Sequence, residues 1–151
     1  MGLFQGFDIA ATGMTAQRFR MDVIAENIAN VSTTRTEDGG PYRRKIVTFT
    51  EKELNKGLSF QNVLKDTQKR AYEGNGVKVS KVSGDYDTDF IMEYDPSHPD
   101  ADENGYVSYP NVNTVTEMTN LIDASRSYEA NTTAFDAIKS MAQAGISIGQ
   151  G

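Results

Sequence analysis

The feature that most constrains this fold is a pair of long amphipathic patterns at the two ends of the chain, residues 7–31 and 115–146. In the first, eight positions follow alternating steps of three and four residues, the heptad spacing of a helix with one apolar stripe: Phe7, Ala10, Met14, Gln17, Met21, Ile24, Ile28 and Val31. In the second, four residues recur every seven positions and four more widen the same face: Leu121, Tyr128, Phe135 and Ala142, then Met118, Ile122, Ile138 and Ile146. Both segments are therefore predicted to be helices.

Each predicted helix needs a partner, because an isolated helix of this length is marginal in water and gains most of its stability by burying its apolar stripe. One interpretation is a helical hairpin in an ordinary small domain, in which the two stripes pack on each other within one chain. The other is packing between chains in an oligomer or filament, which the strict heptad spacing favours. The periodicity alone leaves both interpretations open.

The middle of the chain has the alternation and the turn residues of short strands. Strands are predicted at residues 42–49, from Val77 onward after the turn at 73–76, and at 90–94, with a short helix at 60–65. The three strands predict a small antiparallel sheet. The chain as a whole is predicted to have an α+β fold, in which the N- and C-terminal helices pair as a coiled-coil-like core around a small antiparallel β-rich domain. The predicted boundaries are 1–34, 35–108 and 109–151.

The charges of the chain are divided unevenly along its length. The formal net charge of −6 argues against binding to nucleic acid, which requires a surplus of Lys and Arg on one face. Residues 35–81 hold eleven Lys or Arg and six Asp or Glu, whereas residues 82–125 hold ten acidic residues and no Lys or Arg. Such blocks are usually solvated faces, but in ordered stacks of copies a basic and an acidic region would pair between neighbours.

Several classes of protein have no support in the sequence. The chain has no cysteine, which excludes disulfides, thiolate metal sites and cysteine nucleophiles. Its first residues lack the basic region and the apolar run of a cleaved secretory signal, so none is expected. No run of about 18 apolar residues is present, so no direct membrane span is expected.

One loop resembles a calcium site in part. Asp100, Asp102, Asn104 and Gly105 match positions 1, 3, 5 and 6 of a calcium loop, but position 12 falls on Asn111, which cannot supply the bidentate carboxylate. The alternative interpretation is an acidic turn whose side chains bond to the local backbone. A calcium-binding module, or an adaptor with helical oligomerisation, is therefore retained as the alternative function.

Catalytic constellations are absent from the sequence. His98 is the only histidine and is predicted to be a solvated loop residue, since a single imidazole without partners cannot build a metal site. The Ser and Thr clusters near Ser32 and Thr132 have no base close to them in the sequence. We therefore predict that the chain is not an enzyme and that it needs no cofactor and no metal.

Residues 27–33, Asn-Ile-Ala-Asn-Val-Ser-Thr, closely resemble the signature near the N-terminus of bacterial flagellar axial proteins, with Ala29, Asn30 and Thr33 at its defining positions. Further matching stretches lie at residues 8–14, 39–44, 96–107, 110–113 and 127–141, so that the resemblance covers most of the chain and is weakest at 51–70. The chain thus resembles the flagellar basal-body rod protein family, and within it a proximal rod protein.

The resemblance implies a structural subunit that polymerises through its terminal helices into the inner core of a rod, the drive shaft that transmits torque for motility. Its implied partners are copies of itself, other rod proteins, the base of the basal body and the flagellar export apparatus. The implied location is the periplasmic rod of the basal body, reached by export without a cleaved signal.

A set of assembly-interface residues follows from the two stripes together with this resemblance. The predicted apolar members are Phe7, Met14, Met21, Ile24, Ile28, Leu121, Tyr128, Phe135 and Ile138. Three asparagines are predicted to make polar contacts that set the register between helices, as buried polar residues do in coiled coils: Asn27, Asn30 and Asn131. For Asn30 the alternative is helix capping, because the predicted helix stops just after it.

Overall fold

The computed structural model describes residues 3–37, 39–52 and 74–149. In these residues the chain forms helix α1 (Leu3–Ala29), strands β1 (Lys45–Glu51), β2 (Val77–Gly84), β3 (Ile91–Tyr94) and β4 (Tyr106–Tyr109), and helix α2 (Thr114–Gly149). The terminal helices pack on each other and the strands lie between them in sequence, so the predicted α+β class is confirmed. The helix predicted at 60–65 lies outside the described residues, and the three predicted boundaries stay predictions.

The two helices pair in antiparallel directions within one chain. Phe7, near the start of α1, contacts Phe135, whereas Asn27, near its end, contacts Glu117. Asn113 caps the N-terminus of α2, since its side-chain Oδ1 accepts a hydrogen bond from the N–H of Thr116 at 3.1 Å. The structure therefore contains the internal helix pair that the periodicity left as one of two possibilities.

The strands form two separate antiparallel ribbons in the described part of the chain, β1 with β2 and β3 with β4. The predicted single three-stranded sheet is wrong in this respect, and β4 was missed. β4 has four residues and directly follows the turn at 102–105, where Gly105 has a φ of +84°. A strand this short next to turn formers carries too little alternation for its period to be recognised.

Strand β1 begins at Lys45 rather than at residue 42, because the backbone just before it is hydrogen-bonded elsewhere. The N–H of Tyr42 donates to the carbonyl of Thr33, and the N–H of Arg44 donates to the side chain of Asn111. Residues 42–44 have the alternating pattern of a strand, but the N–H groups of Tyr42 and Arg44 are hydrogen-bonded to residues outside the β1–β2 ribbon.

The ribbon β1–β2 lies on α1. The backbone N–H of Val77 donates to the hydroxyl of Thr12 at 3.2 Å, and Gly76 next to it has a φ of +84° and would overlap Thr12 if it carried a Cβ. Ala16 and Val23, which lie outside the predicted stripe, are buried on α1. Because α1 packs against both α2 and this ribbon, its buried face is wider than a two-helix seam requires.

Candidate assembly surface and buried polar junction

The seam between α1 and α2 is built from aromatic rings and small residues. The rings of Phe7 and Phe135 meet edge to face with centroids 4.9 Å apart, a favoured geometry for aromatic pairs. Gly6 lies against Ile138, and Gly13 lies against Asn131, where an added Cβ would be 2.5 Å from the Asn131 Oδ1. The glycines therefore allow the two helix backbones to approach closely.

The twelve residues predicted for the assembly interface lie along this helix pair and at the end of α1, and none of them is exposed. Ile24 and Asn27 are buried, and the other ten are half-buried: Phe7, Met14, Met21, Ile28, Asn30, Leu121, Tyr128, Asn131, Phe135 and Ile138. Most of these side chains are therefore only partly covered by other residues of the same chain. Their contact with neighbouring copies stays a prediction.

Gly13→Ala is expected to lower the free energy of unfolding by about 1–2 kcal/mol, although alanine is the better helix former by about 1 kcal/mol. The added Cβ pushes on Asn131, whose Nδ2 donates to the carbonyl of Ser127 at 2.7 Å. Urea denaturation of the isolated subunit measures the effect. The double variant Gly13→Ala with Asn131→Ala should recover most of the loss, and equal stability of Gly13→Ala and wild type would contradict the close approach.

Helix α2 carries apolar residues that a single chain leaves exposed. Near the N-terminus of α2 the exposed apolar side chains are Val115, Met118 and Ile122, which lie at helical spacing on one face. Beyond Ile138, which lies opposite the start of α1, every described residue of α2 except Ala142 is exposed. This final segment, Lys139–Gly149, spans about three helical turns and includes the exposed side chains Met141, Ile146 and Ile148. We call it the overhang.

Asn27 is the polar centre of the junction between the helices and the first ribbon. It is fully buried, and its Nδ2 donates to the carbonyl of Lys45 and to Glu117 Oε2, both at 2.9 Å. Its Oδ1 accepts from the N–H of Lys45 at 2.8 Å and from the hydroxyl of Tyr42 at 2.9 Å. Burial, then the nearby carboxylates of Glu26 and Glu117, raise the pKa of Tyr42 to about 12, so the phenol keeps the proton that it donates.

Glu117 and Arg44 form the charged part of the same junction. Glu117 is fully buried on α2, and its Oε1 accepts from Arg44 Nε at 3.0 Å and from Arg44 Nη2 at 2.7 Å. The other terminal nitrogen of Arg44, Nη1, lies 3.4 Å from Asp85 Oδ2. Since a buried carboxylate is tolerated only when it is paired and hydrogen-bonded, Arg44 is what allows a glutamate in this position.

Asp85 and Asn111 connect the junction to the loops that follow β2 and β4. Burial alone would raise the pKa of the Asp85 carboxyl, but hydrogen bonds from the backbone and side chain of Thr88, the backbone of Asp87 and the side chain of Arg44 hold that pKa below its ordinary value of 3.8. Asn111 donates to the carbonyls of Asp85 and Thr88, both at 3.0 Å, and accepts from the N–H of Arg44 at 2.9 Å. The junction therefore joins α1, α2, β1 and two loops.

Sequence reasoning identified only one member of this junction, Asn27. The missed members are Tyr42, Arg44, Asp85, Asn111 and Glu117. A signal existed for Glu117, because it lies four residues before Leu121 and so continues the apolar face of α2. The other two predicted asparagines bond to their own helix, Asn30 to the carbonyl of Glu26 and Asn131 to that of Ser127, which for Asn30 is the helix-end role considered as the alternative.

The turn that partly resembles a calcium loop uses its carboxylates for local and loop-to-loop hydrogen bonds. Asp102 Oδ1 accepts from the N–H groups of Asn104 and Tyr106 at 2.9 and 2.8 Å, and Asp100 Oδ2 accepts from the hydroxyl of Thr34 at 2.8 Å. Asp102 therefore makes the local backbone bonds of the acidic-turn interpretation. In the described ranges, no group of three or more His, Cys, Asp or Glu residues is placed to hold a metal ion.

His98 is not the solvated residue that was predicted. It is half-buried, its Nδ1 accepts from the N–H of Asp100 at 3.1 Å, and its ring lies edge to face with Tyr109 at 6.3 Å between centroids. The proline-flanked loop folds back onto β4, which a local reading of the sequence does not reveal.

None of the helices in the described residues has the length and apolarity needed to cross a membrane.

Comparisons with known proteins agree with the arrangement of two terminal helices around a central β region. The family described as "Flagella basal body rod protein" matches residues 7–35, and the family described as "Flagellar basal body rod FlgEFG protein C-terminal" matches residues 103–148. The two matched segments thus contain most of α1 and most of α2.

Several full-length relatives are called flagellar basal-body rod protein FlgC. That of Borreliella burgdorferi is 46% identical over 158 residues, with 100% of both chains covered. Those of Bacillus subtilis and Escherichia coli O157:H7 are 44% and 39% identical, each covering 99% of this chain and 100% of the relative. These relatives are structural rod proteins rather than enzymes, and a rod protein assembles with other rod and basal-body proteins. The chain belongs to the FlgC family and is a structural subunit of the rod of the flagellar basal body.

Proposed function

We propose that the chain polymerises through its two terminal helices into the inner wall of the proximal rod, a drive shaft that transmits torque. The overhang is the observation that carries this proposal. About three turns of α2 extend past the start of α1 with Met141, Ile146 and Ile148 exposed. Because a helix of this kind gains its stability by burying its apolar residues, a neighbouring subunit that covers the overhang would stabilise it.

The predicted interface residues extend the same surface along the helix pair. Half-buried side chains such as Met14, Met21 and Tyr128 retain apolar area that a neighbouring helix pair would cover, and the exposed Val115, Met118 and Ile122 add a further strip on α2. Burial of apolar area contributes about 25 cal/mol per Å². Many copies that bury these strips together would give a stiff tube.

The buried junction suits a part that bears load. Asn27, Arg44 and Glu117 tie the β1–β2 ribbon to both helices by buried hydrogen bonds and an ion pair. Interiors connected in this way resist small displacements, because every shift breaks several buried polar contacts at once. The ribbon would then transmit lateral force to the helices rather than pivot on them.

Family membership supports a proposal for the location and for the finer partners. The subunit would lie in the periplasmic part of the basal body, reach it through the flagellar export apparatus without a cleaved signal, and contact the base of the basal body below and other rod proteins above. Copies of the same chain would be its lateral neighbours.

The overhang provides the test. Met141→Glu with Ile146→Glu is expected to abolish motility in soft agar and to leave no rods in electron micrographs of isolated basal bodies, because two charges would enter an apolar contact. Thermal unfolding of the isolated subunit should change little, since both side chains are exposed within one chain. The matched control, Gln143→Glu with Ser147→Glu, places the same charges on exposed polar positions of the overhang and should keep motility. Normal rods in the first variant would contradict the proposal.

A further inference from the structure

The outer face of the β1–β2 ribbon is basic. Cross-strand pairing places Thr48 opposite Lys81 and Thr50 opposite Lys78 on this face, and all four residues are exposed. In the described ranges, neither lysine forms an ion pair. We call these four residues, with exposed Ile46 on the same face, the basic ribbon.

The outer face of the β3–β4 ribbon is aromatic and has an acidic end. Met92, Tyr94 and Tyr106 share one face and are 55%, 64% and 44% exposed, with the two tyrosine rings edge to face at 5.3 Å. On the opposite face, Val107 of β4 is buried at 1% exposed, whereas Ile91 and Glu93 of β3 are exposed. Glu103, in the turn that leads into β4, is exposed and has no ion pair among the described residues. We call these four residues the acidic hairpin.

Within one chain the two surfaces do not meet. The element contacts of the described residues join β1 with β2 and β3 with β4, but neither strand of the first ribbon with a strand of the second. Monomers rarely expose clusters of large apolar side chains without an interaction partner. Both surfaces are therefore available to another molecule.

We propose that the basic ribbon of one copy binds the acidic hairpin of a second copy. This inference rests on the proposed function, since it names the outer contact between copies within the rod. Lysine ammonium groups attract carboxylates and the faces of tyrosine rings, and the lysine stems pack on apolar surface. The pairs that would put like charges together, ribbon on ribbon or hairpin on hairpin, are disfavoured.

The geometry of such a contact suits a rod. Because the two surfaces are different and lie on the same chain, a pair of bound copies still presents one free surface of each kind. A heterologous contact of this type adds copies head to tail and generates a ring or a helical assembly. Charge complementarity of the outer ribbons would thus set the register of copies whose helices pack by apolar contacts.

The absence of cysteine from the chain allows a clean cross-linking test. A chain carrying both Thr50→Cys and Asn104→Cys, the second on the exposed residue next to Glu103 so that the carboxylate is kept, replaces the native copy in the bacterium that encodes it, and isolated basal bodies are oxidised and separated on a non-reducing gel. A ladder of dimers, trimers and longer oligomers is expected. Thr50→Cys alone, and the matched pair Thr50→Cys with Glu129→Cys, which places the second cysteine on an exposed position of α2, should give no ladder. Adding Lys78→Glu and Lys81→Glu to the double-cysteine chain should lower the ladder yield about tenfold.

The outcomes separate this inference from the proposed function. Motile cells with complete rods and no ladder from the double-cysteine chain would overturn the ribbon-to-hairpin contact and leave the rod function standing. A cross-link to a different flagellar protein in place of the ladder would overturn the second copy as the partner. Failure of the unsubstituted chain to enter rods would overturn both proposals.

Discussion

Glu117→Ala is expected to lower the free energy of unfolding of the subunit by about 3–5 kcal/mol, the usual cost of breaking a buried ion pair by removing one partner. The substitution removes the acceptor for Arg44 Nε and Nη2 and for one Nδ2 hydrogen of Asn27. Arg44 would keep only its longer contact with Asp85 at 3.4 Å. Urea denaturation of the isolated subunit, followed by circular dichroism, measures the loss.

Two further variants test whether loss of the buried ion pair causes this destabilisation. Glu117→Gln keeps the shape and one acceptor but removes the charge, so it should lose less stability than Glu117→Ala. Glu129→Ala, on an exposed position of the same helix, should change the free energy of unfolding by no more than about 0.5 kcal/mol. Equal, small effects of Glu117→Ala and Glu129→Ala would show that the junction contributes nothing to the stability of the subunit.

Asn27→Leu is expected to lower the free energy of unfolding by a similar amount, about 3–5 kcal/mol, although leucine has nearly the same size and is a better helix former. Asn27 uses both of its donor hydrogens and two acceptor positions, so its loss leaves the backbone groups of Lys45, the hydroxyl of Tyr42 and one oxygen of Glu117 without this partner. A buried polar group left without a partner costs about 1–3 kcal/mol. Thermal and urea unfolding both report the change.

The matched control is Asn30→Ala, since both asparagines belong to the segment that resembles the flagellar signature. Asn30 bonds to the carbonyl of Glu26 and to the hydroxyl of Thr33, both close in sequence, so its substitution should cost about 1 kcal/mol or less. A larger loss from Asn30→Ala than from Asn27→Leu in the isolated subunit would reverse the roles assigned here. In basal bodies, Asn30→Ala also tests a contact with a neighbouring subunit, because Asn30 is only half-buried in one chain. Asn27→Leu tests the interior of the subunit, because Asn27 is fully buried.

The junction also links the family signature to the outer part of the subunit. Asn27 lies in the signature near the end of α1, and its partners Tyr42, Lys45 and Glu117 come from the following loop, the first strand and the second helix. A residue that belongs to a local motif thus holds together elements that are up to 90 residues apart in sequence.

The helices were predictable because their signal is local. Apolar residues at steps of three and four indicate α1 and α2, and the observed bounds, Leu3–Ala29 and Thr114–Gly149, differ from the predicted ones by at most four residues. The two interpretations of the stripes also prove compatible. The helices pair within the chain, yet exposed residues such as Met118, Ile146 and Ile148 leave apolar surface for a neighbour.

The strand pairing was less predictable because it depends on distant partners. The alternation at 42–49 correctly indicated a strand, but Tyr42 and Arg44 belong to the junction, and the pairing of β3 went to the unrecognised β4 instead of to β2. A four-residue strand has too few positions to show a period of two. Val107 of β4, which pairs with Glu93 of β3, is buried by tertiary contacts that the local sequence pattern does not reveal.

By itself the sequence determined the two terminal helices, the β character of the middle and the absence of cysteine chemistry, because each of these rests on residue type or on spacing along one element. The family was indicated by a resemblance that covers most of the chain. Only the tertiary structure decided that Glu117 is a buried partner of Arg44, that Asn27 and not Asn30 joins the elements, and that the basic ribbon and the acidic hairpin do not contact each other within one chain. Burial and hydrogen bonding depend on which elements meet in space. A glutamate on an amphipathic helix has the same local pattern whether water or an arginine 73 residues away in sequence satisfies it.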